Sequence, residues 1–563
     1  MWCVVRKALL PGVVSLAFLL GGLVVPAAHA EEPKGRGSYD QFVALFQEFV
    51  DWRSPTPGQP VDYSAEAVNQ RIAKVAEFQT RLEDMAVASW TRSQKADYLA
   101  ARAAMDQQEF LLRVSRPWAR DPGHYVDQMM RLTFVNLPVA GADLEQLRTR
   151  LAAIPVLVEN AKRNLTEVAA DFADLAIHNL TNSDGVGHGH PYREVPPAGV
   201  IGWYQDLRGR AATAQPDLLP DIDRAKAAVE DLRGWLVKNR PGMTAKAGIG
   251  QELFDWYLVH VKYMPYTSSE IGVLAQRELE RTWAFLALER HRNRHLPELQ
   301  LPRSREEYEA RVASVDADVR KFLVDQQFIT VPPSIPQGFR EMGFNVPWIE
   351  RPKGPNYWEQ IQYRDPSPDH WHAVIPGHRF DGRMLGTITH PVRRHVREGG
   401  RSEGWALYLE EAPLQLGFYE ERRPRTRELI YNFAIFRAAR TLGDVWMQRN
   451  EMTTEQAVAY WMKTTPWLDE DVARVDAEIY LRRPPGYGLG YTIGSFQMYK
   501  LLGDRRRQLG DEFKLGEFHD QFMAAGGMPI ALIRYEMTGL DDEVATFWKR
   551  TRLSTVLESL GRR

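Results

Sequence analysis

The chain has 563 residues, 44% hydrophobic, 26% charged and 11% aromatic, with a single cysteine. This is globular composition, so disorder, collagen-like repeats and a disulfide scaffold are excluded, and the length allows one large core or two domains sharing an interface. A formal net charge of -2 gives none of the basic field that nucleic-acid binding requires.

The first thirty residues read as a secretory signal peptide. Arg6 and Lys7 form a positive n-region, an apolar run extends from Ala8 to about Ala28, and Ala28-His29-Ala30 is a small-x-small cleavage site followed by Glu31-Glu32. Cleavage after Ala30 removes two cations and no acid, giving a net charge of -4, and it also removes Cys3, the only cysteine. A mature protein exported to the periplasm or the medium then carries no thiol. Disulfides, thiolate-zinc sites and a cysteine nucleophile are excluded, and no cysteine stands where a lipoprotein needs one.

No later segment has eighteen uninterrupted apolar residues. Amphipathic helical periodicity dominates, over Ser64–Ala86 and Leu99–Val114. Thr267-x-x-Glu270 and Ser304-x-x-Glu307 have capping-box spacing ahead of the periodic runs Ile271–Arg290 and Tyr308–Leu323. Asn182–Pro197, rich in Gly, His and Pro, is the clearest long loop. Phe328–Pro336 and Tyr357–Tyr363 are short and rich in proline and aromatics, which predicts a small β-sheet or an extended edge beside the helical body. The expected architecture is one mainly α body over 31–563 with a deep cleft. Residues 31–327 form a helical N-terminal half, and 328–563 carry the motifs.

The densest group of ligand-type residues is Asp369-His370-Trp371-His372-Ala373-Val374-Ile375-Pro376-Gly377-His378, with Glu403 25 residues further on. Two histidines and a carboxylate, with a fourth position left to water, are what a catalytic zinc site needs. On a straight helix, histidines six apart point about 120° away from each other, so the helix must kink or widen at Pro376-Gly377 for both to reach one metal. The same residues also fit packing and surface histidines around a Pro-Gly kink, and spacing alone leaves both readings open.

Several elements resemble the bacterial domain of unknown function 885 family, helical proteins regarded as zinc metallopeptidases of the gluzincin kind. The 372–378 segment resembles its H-E-x-x-P-G-H motif, and Glu403-Gly404-Trp405-Ala406-Leu407-Tyr408 its E-G-W-A-x-Y element. Pro485-Gly486, Tyr491 and Ile493-Gly494 resemble its P-G-Q-x-x-x-Y-x-I-G element. Asp51-Trp52-Arg53-Ser54-Pro55 and Pro117-Trp118-Ala119-Arg120-Asp121-Pro122 are similar to its N-terminal signatures. The resemblance implies Zn2+ held by His372, His378 and Glu403, with Tyr491 near the reacting centre.

Four positions depart from that pattern. The glutamate expected as general base is Ala373, the glutamine of P-G-Q is Tyr487, a lysine after the later tyrosine is Thr492, and a histidine following Asp444 is Gln448. The metal set is kept while the proton-handling set is changed. Losing the base costs about 3–5 kcal/mol, which leaves slow hydrolysis within reach. Replacement proton carriers are Tyr487, Tyr491, His370 and Asp381. Asp381 also suits a partner orienting His378, and His370 would point away on a regular helix. His188-x-His190 reads as a solvated loop. His390, His395 and the arginines Arg393, Arg394, Arg397 and Arg401 read as a surface basic segment ahead of a substrate clamp. Trp371 and Trp405 read as core. Three functions remain: an exported zinc hydrolase of short peptides or amides, a pseudo-peptidase that binds peptide or another ligand without turnover, and a zinc site running another reaction. Restoring the carboxylate at Ala373 discriminates the first from the second.

Overall fold

The computed structural model describes residues 32–54, 61–182, 197–351, 354–420 and 425–561. The signal peptide, Pro55 and His188-x-His190 lie outside them. Among the described residues the protein is mainly α and has no β-strand, only three isolated bridges, Gly37–Met85, Ala169–Ala245 and Arg397–Gly527. We number the helices used below: α1 (Tyr39–Arg53), α2 (Ala65–Glu83), α3 (Arg92–Phe110), α4 (Ser268–Arg292), α5 (Arg305–Asp325), α6 (Tyr357–Arg364), α7 (His378–Gly386), α8 (Gly399–Gln415), α9 (Thr426–Gln448), α10 (Glu470–Arg482) and α11 (Leu489–Leu509).

Helix starts follow local chemistry. At α4 the Thr267 hydroxyl accepts from the Glu270 backbone N–H while the Glu270 carboxylate accepts from the Thr267 N–H, a complete capping box. At α5 Ser304 caps Glu307 N, but the Glu307 carboxylate accepts instead from the backbone N–H of Arg303.

The predicted edge sheet is absent, and each of its segments has a physical reason. Residues 357–363 form α6, started by an Asn356-x-x-Glu359 capping box and anchored by Tyr357 and Ile361, one turn apart and fully buried. Between Phe328 and Pro336, three prolines remove ladder donors. The Thr330 N–H and hydroxyl turn instead to the carboxylate of Asp520, at 2.9 and 2.6 Å.

The largest apolar cluster mixes both halves of the chain: Phe42, Phe46 and Tyr98 pack in one core with Trp371, Trp405 and Ile533. At its centre α8 and α11 touch backbone to backbone. A Cβ on Gly404 would stand 2.5 Å from the Gly494 carbonyl carbon, and one on Gly494 2.4 Å from the Gly400 oxygen. Only glycine permits this approach, and it sets the height of Glu403 against the loop that precedes α11.

Candidate metal centre

The chain between the two histidines both widens and breaks. Residues His370–Val374 make one turn of π-helix, Ile375 is extended (φ -138°, ψ 124°), and α7 begins at His378. A Cβ on Gly377 would lie 1.9 Å from the His372 carbonyl oxygen, so the return is closed by glycine. The Trp405 indole N–H donates to the Pro376 carbonyl (3.0 Å), tying the break to α8. His372 and His378 therefore sit on separate helical segments, their rings 4.8 Å apart and nearly perpendicular at 85°.

Glu403 projects from α8 between them. Its Oε2 lies 3.2 Å from His378 Nε2 and 3.8 Å from His372 Nε2, and ligand atoms of the three residues all lie within 4.8 Å of one another. Donors around one tetrahedral zinc ion are separated by about 3.3 Å. Glu403 Oε2 is buried and accepts no hydrogen bond, whereas Oε1 accepts from the Tyr487 hydroxyl at 2.6 Å. A buried carboxylate oxygen facing two imidazole nitrogens, with nothing donating to it, fits a bound cation. The His372 side chain is 8% exposed and that of His378 30%, so solvent reaches the group from the His378 side.

Behind these three residues stand groups that sequence reasoning did not single out. Glu410 Oε1 lies 2.7 Å from His372 Nδ1 and accepts from Arg437 at 3.1 Å, and the Glu410 side chain is 1% exposed. The Ser402 hydroxyl is 3.2 Å from His378 Nδ1. Both histidines thus have the outer partner that orients a metal-ligating ring. Glu410 follows Glu403 by seven residues, two helical turns, so the same-face rule was the signal that could have found it.

Charge is arranged accordingly. Burial, helped by Arg437, lowers the His372 pKa and favours the neutral ring. Burial works in the same direction on His378, but the Glu403 carboxylate outweighs it and raises that pKa. Burial would raise Glu403, yet the histidines and the Tyr487 hydroxyl hold it well below the usual carboxylate range. Tyr487 and Tyr491 are both pushed up, first by burial and then by Glu403, so both stay protonated.

The other residues singled out are placed as follows. Tyr491 lies with its ring 6.0 Å from Tyr487, beneath Arg437 (5.0 Å) and Arg440 (4.4 Å). His370 faces Asp316 at 3.0 Å. Asp381 forms a buried ion pair with Arg401, which is 0% exposed. Arg401 is thus no part of a solvated segment, nor is Arg393, which is buried between Asp97 and Glu536, each at 2.8 Å. His390 is 3.6 Å from Asp97, and His395 accepts from Arg394 at 2.9 Å. Ala373, 4% exposed, packs in the main core with the fully buried Trp371 and Trp405. Gln448 is buried and donates to the Tyr480 carbonyl at 3.0 Å, and the Thr492 hydroxyl is buried without a hydrogen bond.

Residues 56–537 match the family described as "Bacterial protein of unknown function (DUF885)". No curated protein matches the chain. Two solved structures share the fold. One, titled "The structure of a putative lipoprotein of unknown function from Shewanella oneidensis", aligns with a TM-score of 0.66 at 18% identity, over 89% of this chain and 100% of that one. The other, "the putative lipoprotein from Colwellia psychrerythraea", aligns with a TM-score of 0.64 at 16% identity, over 89% and 99%.

Proposed function

The chain belongs to the DUF885 family, and from that premise we propose that it is an exported zinc-dependent hydrolase of peptide or amide bonds in short substrates, slowed by the loss of its general base. The observation that carries the reading is the convergence of His372, His378 and Glu403 on one point, with Glu403 Oε2 buried and undonated and Glu410 and Ser402 behind the rings. Zinc held there supplies Lewis-acid polarisation of a carbonyl oxygen. The protein's own part is orientation and proton handling. Glu410 fixes the His372 ring, Tyr487 occupies one oxygen of Glu403 and so presents the other, and the protonated hydroxyl of Tyr491 donates to oxygen where negative charge develops. Of the four candidate proton carriers, His370 and Asp381 are held by Asp316 and Arg401, and Tyr487 by Glu403, so this reading gives the role to Tyr491, whose ring lies 6.0 Å from that of Tyr487. The substrate approaches from the side on which the His378 ring is exposed.

Export is supported by the signal-peptide pattern and by the two solved structures of similar fold, each titled a "putative lipoprotein". The only cysteine here is Cys3, at the start of the n-region rather than after the apolar run, so the reading is of a cleaved, unanchored protein.

A second reading is favoured by Ala373. It stands in packed core where the family pattern has a glutamate, which suits a binding protein that keeps the site without turnover. Elemental analysis of the untagged mature protein beside H372A and H378A tests the shared premise. About one zinc per chain, lost in both variants, is the expected result. No bound metal after zinc is supplied overturns both the hydrolase and any metal-dependent binding role.

A further inference from the structure

A cavity of about 210 Å³ lies at the seam between the N-terminal helices and the loop that carries Tyr487. Its floor is apolar, with Phe110, Leu111, Phe172, Ile249, Tyr257 and Leu481. Its charged lining is one-sided: Arg53, Arg120, Arg482 and Arg483 against the single acid Asp121. Asp121 is already used, accepting from Arg482 Nε (2.8 Å) and from the Gly123 N–H (2.8 Å). Arg482 is further held by Asp127 at 2.7 Å, and Arg120 donates to the Lys246 carbonyl at 2.7 Å.

Arg53 and Arg483 remain. Arg53, half-buried at the end of α1, lies over the Phe49 ring (5.4 Å) and has no hydrogen bond or ion pair among the described residues. Burial alone lowers its pKa, with no acid offsetting it. Asp51 nearby accepts from Gln47 at 2.8 Å, and residues 55–60 contain no acid in sequence. Arg483 stacks over Tyr487 (4.8 Å) and likewise has no carboxylate partner among the described residues. Partial burial of the Arg53 guanidinium with no counter-ion among the described residues is costly, whereas Arg483 is exposed and held only by its ring contact; the planar fork of each matches a carboxylate's two oxygens.

We propose that this cavity binds a small organic carboxylate with an apolar body, Arg53 and Arg483 gripping the carboxylate and the Phe110–Tyr257–Leu481 floor taking the body. The volume is below that of drug-sized ligand pockets, which sets the scale at a single aryl or alkyl group. The ligand is either a free acid or the C-terminal residue of a peptide. The site stands independently of the metal reading. It adjoins the metal centre through one chain of contacts, Arg483 on the Tyr487 ring and the Tyr487 hydroxyl on Glu403.

The test is calorimetric titration of the zinc-treated mature protein at low ionic strength with 3-phenylpropionate, acetate, the neutral 3-phenylpropanamide, and N-acetyl-alanyl-phenylalanine. 3-Phenylpropionate should bind saturably. Acetate and the amide should each bind about tenfold or more weakly, as should 3-phenylpropionate to R53Q or R483Q. Binding of the acetyl dipeptide with the same arginine dependence identifies a peptide C-terminus as the ligand, and its failure identifies a free acid. H372A should bind 3-phenylpropionate as the unsubstituted protein does, so failure of the metal reading leaves this result intact. Equal binding of acid and amide, full binding by either arginine variant, binding lost in H372A, or no saturable binding overturns the proposal. Neither arginine carries an ion pair among the described residues, so both variants should keep the parent's circular dichroism, which verifies that a loss is not unfolding.

Discussion

Replacing Glu410 by glutamine separates metal tuning from mere packing. The side chain keeps its shape and an acceptor for His372 Nδ1, but its negative charge is lost at 2.7 Å from that nitrogen and 3.1 Å from Arg437. Removing the outer partner of a metal histidine lowers affinity by about 10–100-fold, or about 1.4–2.7 kcal/mol. Breaking a buried ion pair on one side costs about 3–5 kcal/mol. The lower end applies here, because Arg437 retains the rings of Phe433, Tyr491 and Trp358 at 5.2, 5.0 and 5.5 Å. E410Q should therefore unfold about 3 kcal/mol more easily without zinc, and by about 4–6 kcal/mol more easily at saturating zinc, where weaker binding adds to the loss. Zinc affinity is read by competition with a chromophoric chelator and stability by urea unfolding. Glu411, paired with Arg281 at 2.9 Å and off the site, is the control: E411Q should lose stability and keep zinc affinity. E410Q binding zinc within about twofold of the parent would refute the assignment of Glu410 as the His372 partner.

Two further outcomes follow from the geometry. G377A places a methyl 1.9 Å from the His372 oxygen, so the π-turn must move. Stability should fall by about 3 kcal/mol or more and zinc should be lost with it, as read by melting and elemental analysis; a stable, zinc-loaded G377A would show that the turn is not fixed by this contact. Asp444, fully buried, accepts from the Gly488 N–H at 2.8 Å, and burial raises its pKa from 3.8 to about 7. The folded state then holds a proton that the unfolded state has released, so stability should fall as pH rises from about 4 to about 7, by a few kcal/mol at most, and level off above. In D444N that share of the slope should vanish. Urea titrations across this range that superimpose for parent and variant would show the carboxyl is not buried as described.

The helical class and many boundaries were legible because they rest on local chemistry: a 3.6-residue apolar period and hydroxyl or amide caps that satisfy the first N–H groups. The edge sheet was misread where composition outvoted position. Aromatic residues at Tyr357–Tyr363 suggested strand, but Asn356-x-x-Glu359 had already set a helix start. At the site, His372, His378 and Glu403 stood out as motifs. The means of bringing them together did not, because a π-turn, an extended residue and a glycine return are fixed by packing against Trp405 rather than by the residues' own preferences. Arg393 and Arg401 looked like solvated charge because their partners lie far along the chain or on another helix, Asp97 being 296 residues away from Arg393.

Ala373→Glu tests what the departures from the family pattern mean together. Ala373 is 4% exposed and packs in the main core. A carboxylate added there is desolvated, so before zinc binds its pKa should rise, the direction that improves a general base, and the fold should lose about 1–3 kcal/mol. If base loss alone slows the protein, A373E holding its zinc should hydrolyse short peptides about 10²–10⁴-fold faster than the parent. Turnover in A373E alone identifies the parent as a binding protein. Turnover in both, with the parent's rate abolished by Y491F, places the proton with Tyr491. A373E that folds, binds zinc and cleaves no faster than the parent would refute the account in which base loss alone slows the protein, and the explanation would pass to the other departures, at Tyr487, Thr492 and Gln448.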